Sequence, residues 1–408
     1  MSKPILMVPN ATGSGHNMRA LALASELRSV CPEREIVVLL GSMQDVFAPL
    51  FESAGVKVIS TENDVISHAH SSHLDKILDQ EHYISGYLAP TFLNGSKIID
   101  YLAYFKEINP AIVVSDYNLT ASVASVIGQY RHVLITERYD FSLAQISNDD
   151  FREAGFIVND TEISRARPTL SIIFDWIIRN SSLVLTDKPP LPDLDVGTAL
   201  YSQLNEPNVH FVGPMTRPAP KNVNQEQLRH ELGLSTGPLL VASVGGMSMF
   251  IENKQKAIRT YLHAFAHLRK SHSDAEMILI GRGTTPPAEE GVHTLNYIPD
   301  WMPLLTCATA LIAQPGWITV TEVAALRVPT IFVLGGRGEY HEIESLRRLE
   351  ALGFPTLVEP SPDALHSLLK DAVTGQLADR CAKAFATLTP SGGRATLTAA
   401  KMISQVTP

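Results

Sequence analysis

Short, unbroken apolar runs recur along this chain, most of them β-branched, and stretches of helical periodicity separate them. In the first half these runs are Ile5–Pro9, Ile36–Leu40, Val56–Ser60, Ile112–Ser115, Val133–Thr136 and Leu183–Thr186. A strand that is apolar on both sides must be covered on both sides. Parallel strands joined by helices meet that demand. The intervening stretches fit: Met18–Ser29 carries Leu21, Leu23, Ala24 and Leu27 on roughly one side, the pattern of a helix lying on a sheet. A Pro-rich break begins at Gly213, reading GPMTRPAPKNVN, and the rhythm then resumes at Leu239–Ser243, Met277–Gly281, Thr294–Tyr297, Ala310–Ile312 and Thr330–Leu334. A length of 408 residues exceeds one typical core. We therefore expect an α/β chain of two Rossmann-like domains, 1–214 and 215–378. A helical segment, 379–408, should follow, broken at Pro390–Gly393. Two such sheets facing each other leave a cleft at their carboxyl ends, where ligands bind in doubly wound folds.

Composition narrows the function. The formal net charge of -9 disfavours nucleic acid or an anionic membrane as the main partner. Cys31, Cys307 and Cys381 are far apart and form no CxxC pair, so neither a disulfide framework nor a zinc knuckle is expected. The opening MSKPILMVPN runs straight into a glycine turn without the pattern of a secretory signal. No apolar stretch approaches the ~18 residues of a membrane span. The expectation is a cytoplasmic protein.

Two positions in the first half carry chemistry. Thr12-Gly-Ser-Gly-His16-Asn-Met-Arg19 follows a strand and opens a helix. Gly13 and Gly15 allow close approach of a ligand to the backbone, and the helix start offers unpaired N–H groups. Met18 stands where a dinucleotide fingerprint needs its third glycine. His16 reads either as a general base or as a polar residue that caps the turn. Asp116 follows the run 111–115 and emerges at a strand's carboxyl end. It reads as a carboxylate that orients His16, or as a loop or N-cap aspartate.

In the second half the chain reads Ala313-Gln-Pro-Gly316-Trp-Ile-Thr319-Val-Thr-Glu322, and later His341-Glu342-Ile-Glu-Ser345-Leu-Arg-Arg-Leu349-Glu-Ala-Leu-Gly353. Gly316, Thr319, Glu322 and Pro329 match G-x-x-T-x-x-E-x-x-x-x-x-x-P. His341, Leu349 and Gly353 match the block that follows it in the GT-B glycosyltransferases. The sequence thus resembles family 28 of that class, which includes the lipid-linked N-acetylglucosaminyltransferase of peptidoglycan synthesis. The resemblance implies two Rossmann-like domains facing across a cleft, the first for the acceptor and the second for a nucleotide-sugar donor, with the C-terminal helix crossing back to the first. It implies donor contacts from Gly15, Ser243, Gly245 and Gly246 on the phosphate side and Ile298 at the base. Gly316, Thr319 and Glu322 would serve phosphate and ribose, and His341, Glu342 and Ser345 the sugar. Glu342 and Ser345 replace the family's usual Gln and Asn, which points to a sugar other than N-acetylglucosamine. Ile318 replaces a usual glycine in the phosphate loop. A capping box, Thr319 to Glu322, explains those two residues without any ligand.

Other patterns are weaker. His68-Ala-His70-Ser-Ser-His73 has zinc-hydrolase spacing without the aspartate that motif needs, and Asp193-Leu-Asp195 lies in a Pro-rich loop where aspartates shape turns. No metal site is expected, nor any cofactor beyond the nucleotide-sugar co-substrate. The Ile172–Ile178 stretch reads as a helix packed on the core. The leading function is inverting, metal-independent transfer from a UDP- or dTDP-sugar to a small-molecule or lipid-linked acceptor, with His16 as base. The alternatives are a nucleotide-sugar hydrolase, which the Gly13–Arg19 turn also resembles, an epimerase of the same fold, and a non-catalytic nucleotide-sugar-binding partner of a transferase.

Overall fold

The structure is a computed structural model that describes residues 2–11, 14–61, 77–79, 81, 93–221, 223–244, 251–281, 283–284, 286–296, 298, 300–336, 340–390 and 392–408. The chain divides into two compact units, Met1–Arg217 with Pro390–Pro408, and Pro218–Thr389. The boundaries thus fall at 217/218 and 389/390, where the sequence suggested 214/215 and 378/379. The expected tail is split between the units: helix Gln376–Leu388 stays with the second, whereas helix Ala395–Val406 joins the first. Leu377, Cys381, Ala384, Phe385 and Leu388 are buried in the second unit's core, which fixes the first of these helices there.

Among the described residues of the first unit the strands are β1 (Ile5–Pro9), β2 (Ile36–Gly41), β3 (Lys57–Thr61), β4 (Ile77–Leu78), β5 (Ile112–Asp116), β6 (His132–Thr136), β7 (Ile157–Val158), β8 (Leu183–Thr186) and β9 (Val209–Phe211). Seven of them form one parallel sheet in the order β3-β2-β1-β5-β6-β8-β9, and β4 pairs with β7 apart from it. Alternate residues of these strands enter opposite cores, which is why the runs do not alternate in polarity. Ile5, Met7, Ile112, Val114, Val133, Ile135, Leu183 and Leu185 pack on Ala20, Leu23, Ala24 and Leu27 of helix Ser14–Val30, together with Ala399, Ala400 and Ile403 of the C-terminal helix. Leu6, Val8, Val37, Leu39 and Val113 face Phe105, Ala121 and Ala124 on the other side.

The second unit is wound likewise among its described residues. Its strands β10 (Leu239–Ser243), β11 (Glu276–Ile280), β12 (Val292–Leu295), β13 (Ala310–Ala313), β14 (Thr330–Leu334) and β15 (Thr356–Val358) lie in the order β12-β11-β10-β13-β14-β15, all parallel. β12 starts earlier than the expected 294–297, because Gly291, at φ 73°, turns the chain into register with Met277.

Each sheet reverses its winding direction once, between β1 and β5 in the first unit and between β10 and β13 in the second. At such a switch point the connections leave in opposite directions and open a crevice at the carboxyl ends of the strands. Pro9 and Asp116 are in register at the first of these ends. Ser243 closes β10, and Gln314–Gly316 follows β13, at the second.

Candidate functional site

His16 lies in the first turn of helix Ser14–Val30, and Asp116 is the last residue of β5. The parallel pairing of β1 with β5 sets the end of one strand beside the helix that follows the other. The Asn10 amide donates to the Asp116 carbonyl at 2.9 Å and fixes that junction. His16 Nδ1 then lies 2.8 Å from Asp116 Oδ1. The carboxyl is buried. Burial opposes its charge, but Arg19 and His16 outweigh burial and hold its pKa at about 2. An ionised carboxylate can only accept, so the contact requires the proton on Nδ1. That tautomer leaves Nε2 with its lone pair.

Beyond Asp116 the chain bends sharply. Tyr117 has φ 45°, a left-handed conformation that non-glycine residues seldom adopt. Asn10 Nδ2 donates to the Tyr117 carbonyl at 3.0 Å, and the Tyr117 amide donates to Ile135 O at 2.8 Å, so the bend is tied down on two sides. It sets the Tyr117 ring parallel to the His16 imidazole, centroids 6.2 Å apart.

Arg19 organises the rest of the site. Its Nε and Nη2 donate to the two oxygens of Asp116 at 2.8 and 2.6 Å, a fork on a carboxylate. Nη1 donates to Asp187 Oδ2 at 2.8 Å and to Glu137 Oε2 at 3.4 Å, and Nη2 lies 3.1 Å from His16 Nδ1. Burial disfavours the guanidinium charge, but the carboxylates Asp116, Asp187 and Glu137 outweigh burial and raise its pKa further. Glu137 is held below the usual carboxylate range: burial opposes its charge, and His16, Arg19, Arg138 and Lys188 together outweigh burial. At Asp187 burial prevails over Arg19, helped by the charges of Glu137 and Asp116, and lifts its pKa to about 6.

Sequence reasoning singled out His16 and Asp116, and the structure brings them together. It missed Arg19 and Asp187. The signal was present. At the ends of three neighbouring strands a hydroxyl residue is followed by an acid, the last residue of β5 and the first residue beyond β6 and β8: Ser115-Asp116, Thr136-Glu137 and Thr186-Asp187. Counting by twos from Val114, Ile135 and Leu185 puts all three acids on the face that helix Ser14–Val30 covers. Arg19, three residues after His16, shares His16's side of that helix.

In the second unit Ser243 is buried at the end of β10, and Gly316 is the N-cap of helix Trp317–Leu326, with no side-chain cap. Thr319 and Glu322 therefore lie inside the helix, and the capping-box reading falls. Glu322 is buried, and its Oε2 accepts from Trp301 Nε1 at 2.7 Å. Ile298 precedes Trp301 by three residues and is half-buried. Glu342 and Ser345 lie on helix Tyr340–Leu352, half-buried and buried respectively. His341 lies on the same helix, and its side chain is outside the described residues. Gly245 and Gly246 also lie outside them, as do Gly13, His68, His70 and His73. Gly15 is the second residue of helix Ser14–Val30. Asp195 is buried, and its Oδ2 accepts from the Leu191 amide at 2.7 Å, the turn-shaping role expected of that loop. In helix Asp160–Arg179, Phe174, Ile177 and Ile178 are buried, while Ile172 and Trp176 face solvent.

Among the described residues no group of three or more His, Cys, Asp or Glu is placed to hold a metal ion. No helix among them is long and apolar enough to cross a membrane.

The fold is that of the GT-B enzymes. The chain is similar along its whole length to CalG4, the calicheamicin glycosyltransferase (TM-score 0.62, 16% identity, 100% of this chain and 98% of that one). It is similar to the spinosyn forosaminyltransferase SpnP (TM-score 0.65, 15% identity, 100% of both chains). It is similar also to a Listeria monocytogenes protein assigned as a UDP-N-acetylglucosamine 2-epimerase (TM-score 0.62, 13% identity, 99% and 96%). No protein-family model matches the sequence, and no curated protein matches it either.

Proposed function

We propose that this chain is a nucleotide-sugar-dependent glycosyltransferase with His16 as general base. The observation that carries this reading is the buried His16–Asp116 hydrogen bond at the first switch point, with Nε2 left as the proton acceptor. In the step we envisage, Nε2 takes the proton of an acceptor hydroxyl or amine. The acceptor atom bonds to the anomeric carbon from the side opposite the leaving group, and the bond from that carbon to the diphosphate oxygen breaks. The configuration inverts, and the diphosphate departs with the electron pair. Asp116 keeps the imidazole in the productive tautomer and stabilises its protonated form.

The donor side of the proposal rests on the second unit. The uncapped N-terminus of helix Trp317–Leu326 offers N–H groups to the diphosphate, and they stabilise the charge that develops as it leaves. Glu322 takes the ribose hydroxyls, Ile298 lies by the base, and Ser243 serves the phosphates. A UDP- or dTDP-sugar donor fits this set, with a small-molecule or lipid-linked acceptor and no metal. Fold likeness to two enzymes named as glycosyltransferases supports the class, and likeness to one assigned as an epimerase sets its nearest rival.

The test is product analysis with a panel of nucleotide sugars and acceptors. Transferred sugar is the expected result. Free sugar alone would make the chain a hydrolase, epimerised donor would make it an epimerase, and an unchanged donor would leave a binding protein. His16→Ala should lower turnover by ~10²–10⁴-fold while donor affinity stays nearly constant. Near-normal turnover in a folded His16→Ala protein would reject His16 as the base.

A further inference from the structure

Asp187 is wholly buried, and only one of its oxygens is used. Oδ2 accepts from Arg19 Nη1, and Oδ1 has no hydrogen-bond partner among the described residues. Buried carboxylate oxygens are normally paired, so this one calls for an explanation.

The surroundings supply it. Among the described residues, the charged groups that act on Asp187 are Arg19 from helix Ser14–Val30, Asp116 from β5 and Glu137 after β6; His16, Arg138 and Lys188 act in turn on Glu137, and His16 on Asp116 as well. Three carboxylates share one guanidinium. Asp116 takes two of its arms, and the remaining one, Nη1, is divided between Asp187 and Glu137. With its fork already committed to Asp116, Arg19 can swing only about that fork, and Nη1 is the end that moves. An acceptor there fixes the plane of the whole guanidinium. Such a plane fixes Asp116, and Asp116 fixes the proton on His16 Nδ1.

We propose that Asp187 is a positioning residue for the His16–Asp116 pair, acting through Arg19: it anchors the far end of the guanidinium, and its gain or loss of one proton changes how much positive charge Arg19 has left for Asp116. The unpaired Oδ1 is where that proton sits. Burial places the exchange near neutrality, at about 6. An ionised Asp187 competes with Asp116 for Arg19 and makes the pair more basic, and a protonated one does the reverse. This inference rests on His16 being the working base, but its first readout does not need any turnover.

Two variants test it. Asp187→Asn keeps an acceptor for Nη1 and removes the titration, while Asp187→Ala removes both. Side-chain ¹⁵N NMR of the histidines reads the His16 tautomer directly, with its signals assigned by their loss in His16→Gln. The Nδ1–H form should dominate in the wild type and in Asp187→Asn. In Asp187→Ala the Nε2–H form should rise about tenfold, the effect of one lost hydrogen bond to a charged group. In nucleotide-sugar turnover the acid limb of kcat/KM should move about one pH unit lower in Asp187→Asn, because a negative charge has been removed from a coupled cluster. In Asp187→Ala, kcat should fall about tenfold at all pH values, with KM for the donor within twofold. A merely structural Asp187 would lower stability in both variants and move neither the tautomer nor the limb. Unchanged His16 spectra with an unmoved limb would overturn the proposal. If no nucleotide sugar is turned over, the transferase reading fails and the spectra alone decide, unchanged spectra again counting against Asp187. Should Asp187→Ala not fold, Asp187→Asn and its pH profile still test it.

Discussion

The two switch points are built by different means. At the first, four ionisable side chains, His16, Asp116, Glu137 and Asp187, meet one buried guanidinium. At the second, a helix begins at an uncapped glycine, and the one buried acid on that helix, Glu322, rests on an indole N–H. The first geometry is held by side chains and their charges. The second is supplied largely by backbone, whose N–H groups stay in place whatever residue carries them. The first should therefore be sensitive to single substitutions and to pH, the second much less so.

The largest expected effect follows from removing the hub. Arg19→Ala leaves Asp116 and Asp187 buried without their cation, and breaking a buried ion pair in this way costs about 3–5 kcal/mol. Denaturant unfolding of the variant measures it. A loss under about 1 kcal/mol would mean that the cluster does not hold the site together. At the other switch point, Glu322→Ala should weaken donor binding by about 1–3 kcal/mol in titration calorimetry. Unchanged affinity in a folded variant would remove the ribose role. Trp301→Phe, which deletes only the indole N–H, should weaken donor binding by about 1 kcal/mol. Equal losses in donor affinity and in stability would mark that bond as structural.

Acid should separate the regions further. His132 is buried between Ser115 and Ser181, and burial lowers its pKa from 6.5 to about 3. The unfolded chain binds the proton first. The stability from this residue is therefore complete above pH 6.5, and it falls as pH drops toward 3, by about 1.4 kcal/mol per pH unit. Asp187 works oppositely: its pKa is raised from 3.8 to about 6, so its contribution grows as pH falls from 6 to 3.8 and is lost above 6. Comparing the wild type with His132→Gln isolates the histidine. The difference between their unfolding free energies should shrink through this window, and a constant difference would contradict the buried neutral imidazole. The smallest expected effect is none: EDTA should leave turnover unchanged, since a histidine base and helix N–H groups carry the proposed chemistry. Loss of turnover that zinc or magnesium restores would bring a metal into the reaction.

Much of this architecture was legible in the sequence, because strands buried on both faces leave an unmistakable pattern. The exceptions follow from length. β4 and β7 have two residues each, and β9 and β15 have three, too few for periodicity to register. His16 and Asp116 were visible because each stands at the end of an element whose direction is known. Arg19 was not, since an arginine within a helix is ordinarily a solvated surface residue. Only the convergence of three strand ends beneath it makes it a buried hub. The capping box at Thr319–Glu322 misled because motif spacing does not say where a helix starts. Gly316 starts it three residues earlier.

The last helix, Ala395–Val406, completes a core that also draws on the first tenth of the chain: Ala399, Ala400 and Ile403 pack with Ala20, Leu23 and Leu27. During synthesis the whole of Pro218–Thr389 must emerge between these partners. At ribosomal speeds of roughly 5–20 residues per second, that interval is on the order of ten to forty seconds. Through it, one side of helix Ser14–Val30 waits uncovered while the second unit can already close. The order of birth is thus the reverse of the order of completion: the half of the protein that is made first is finished last.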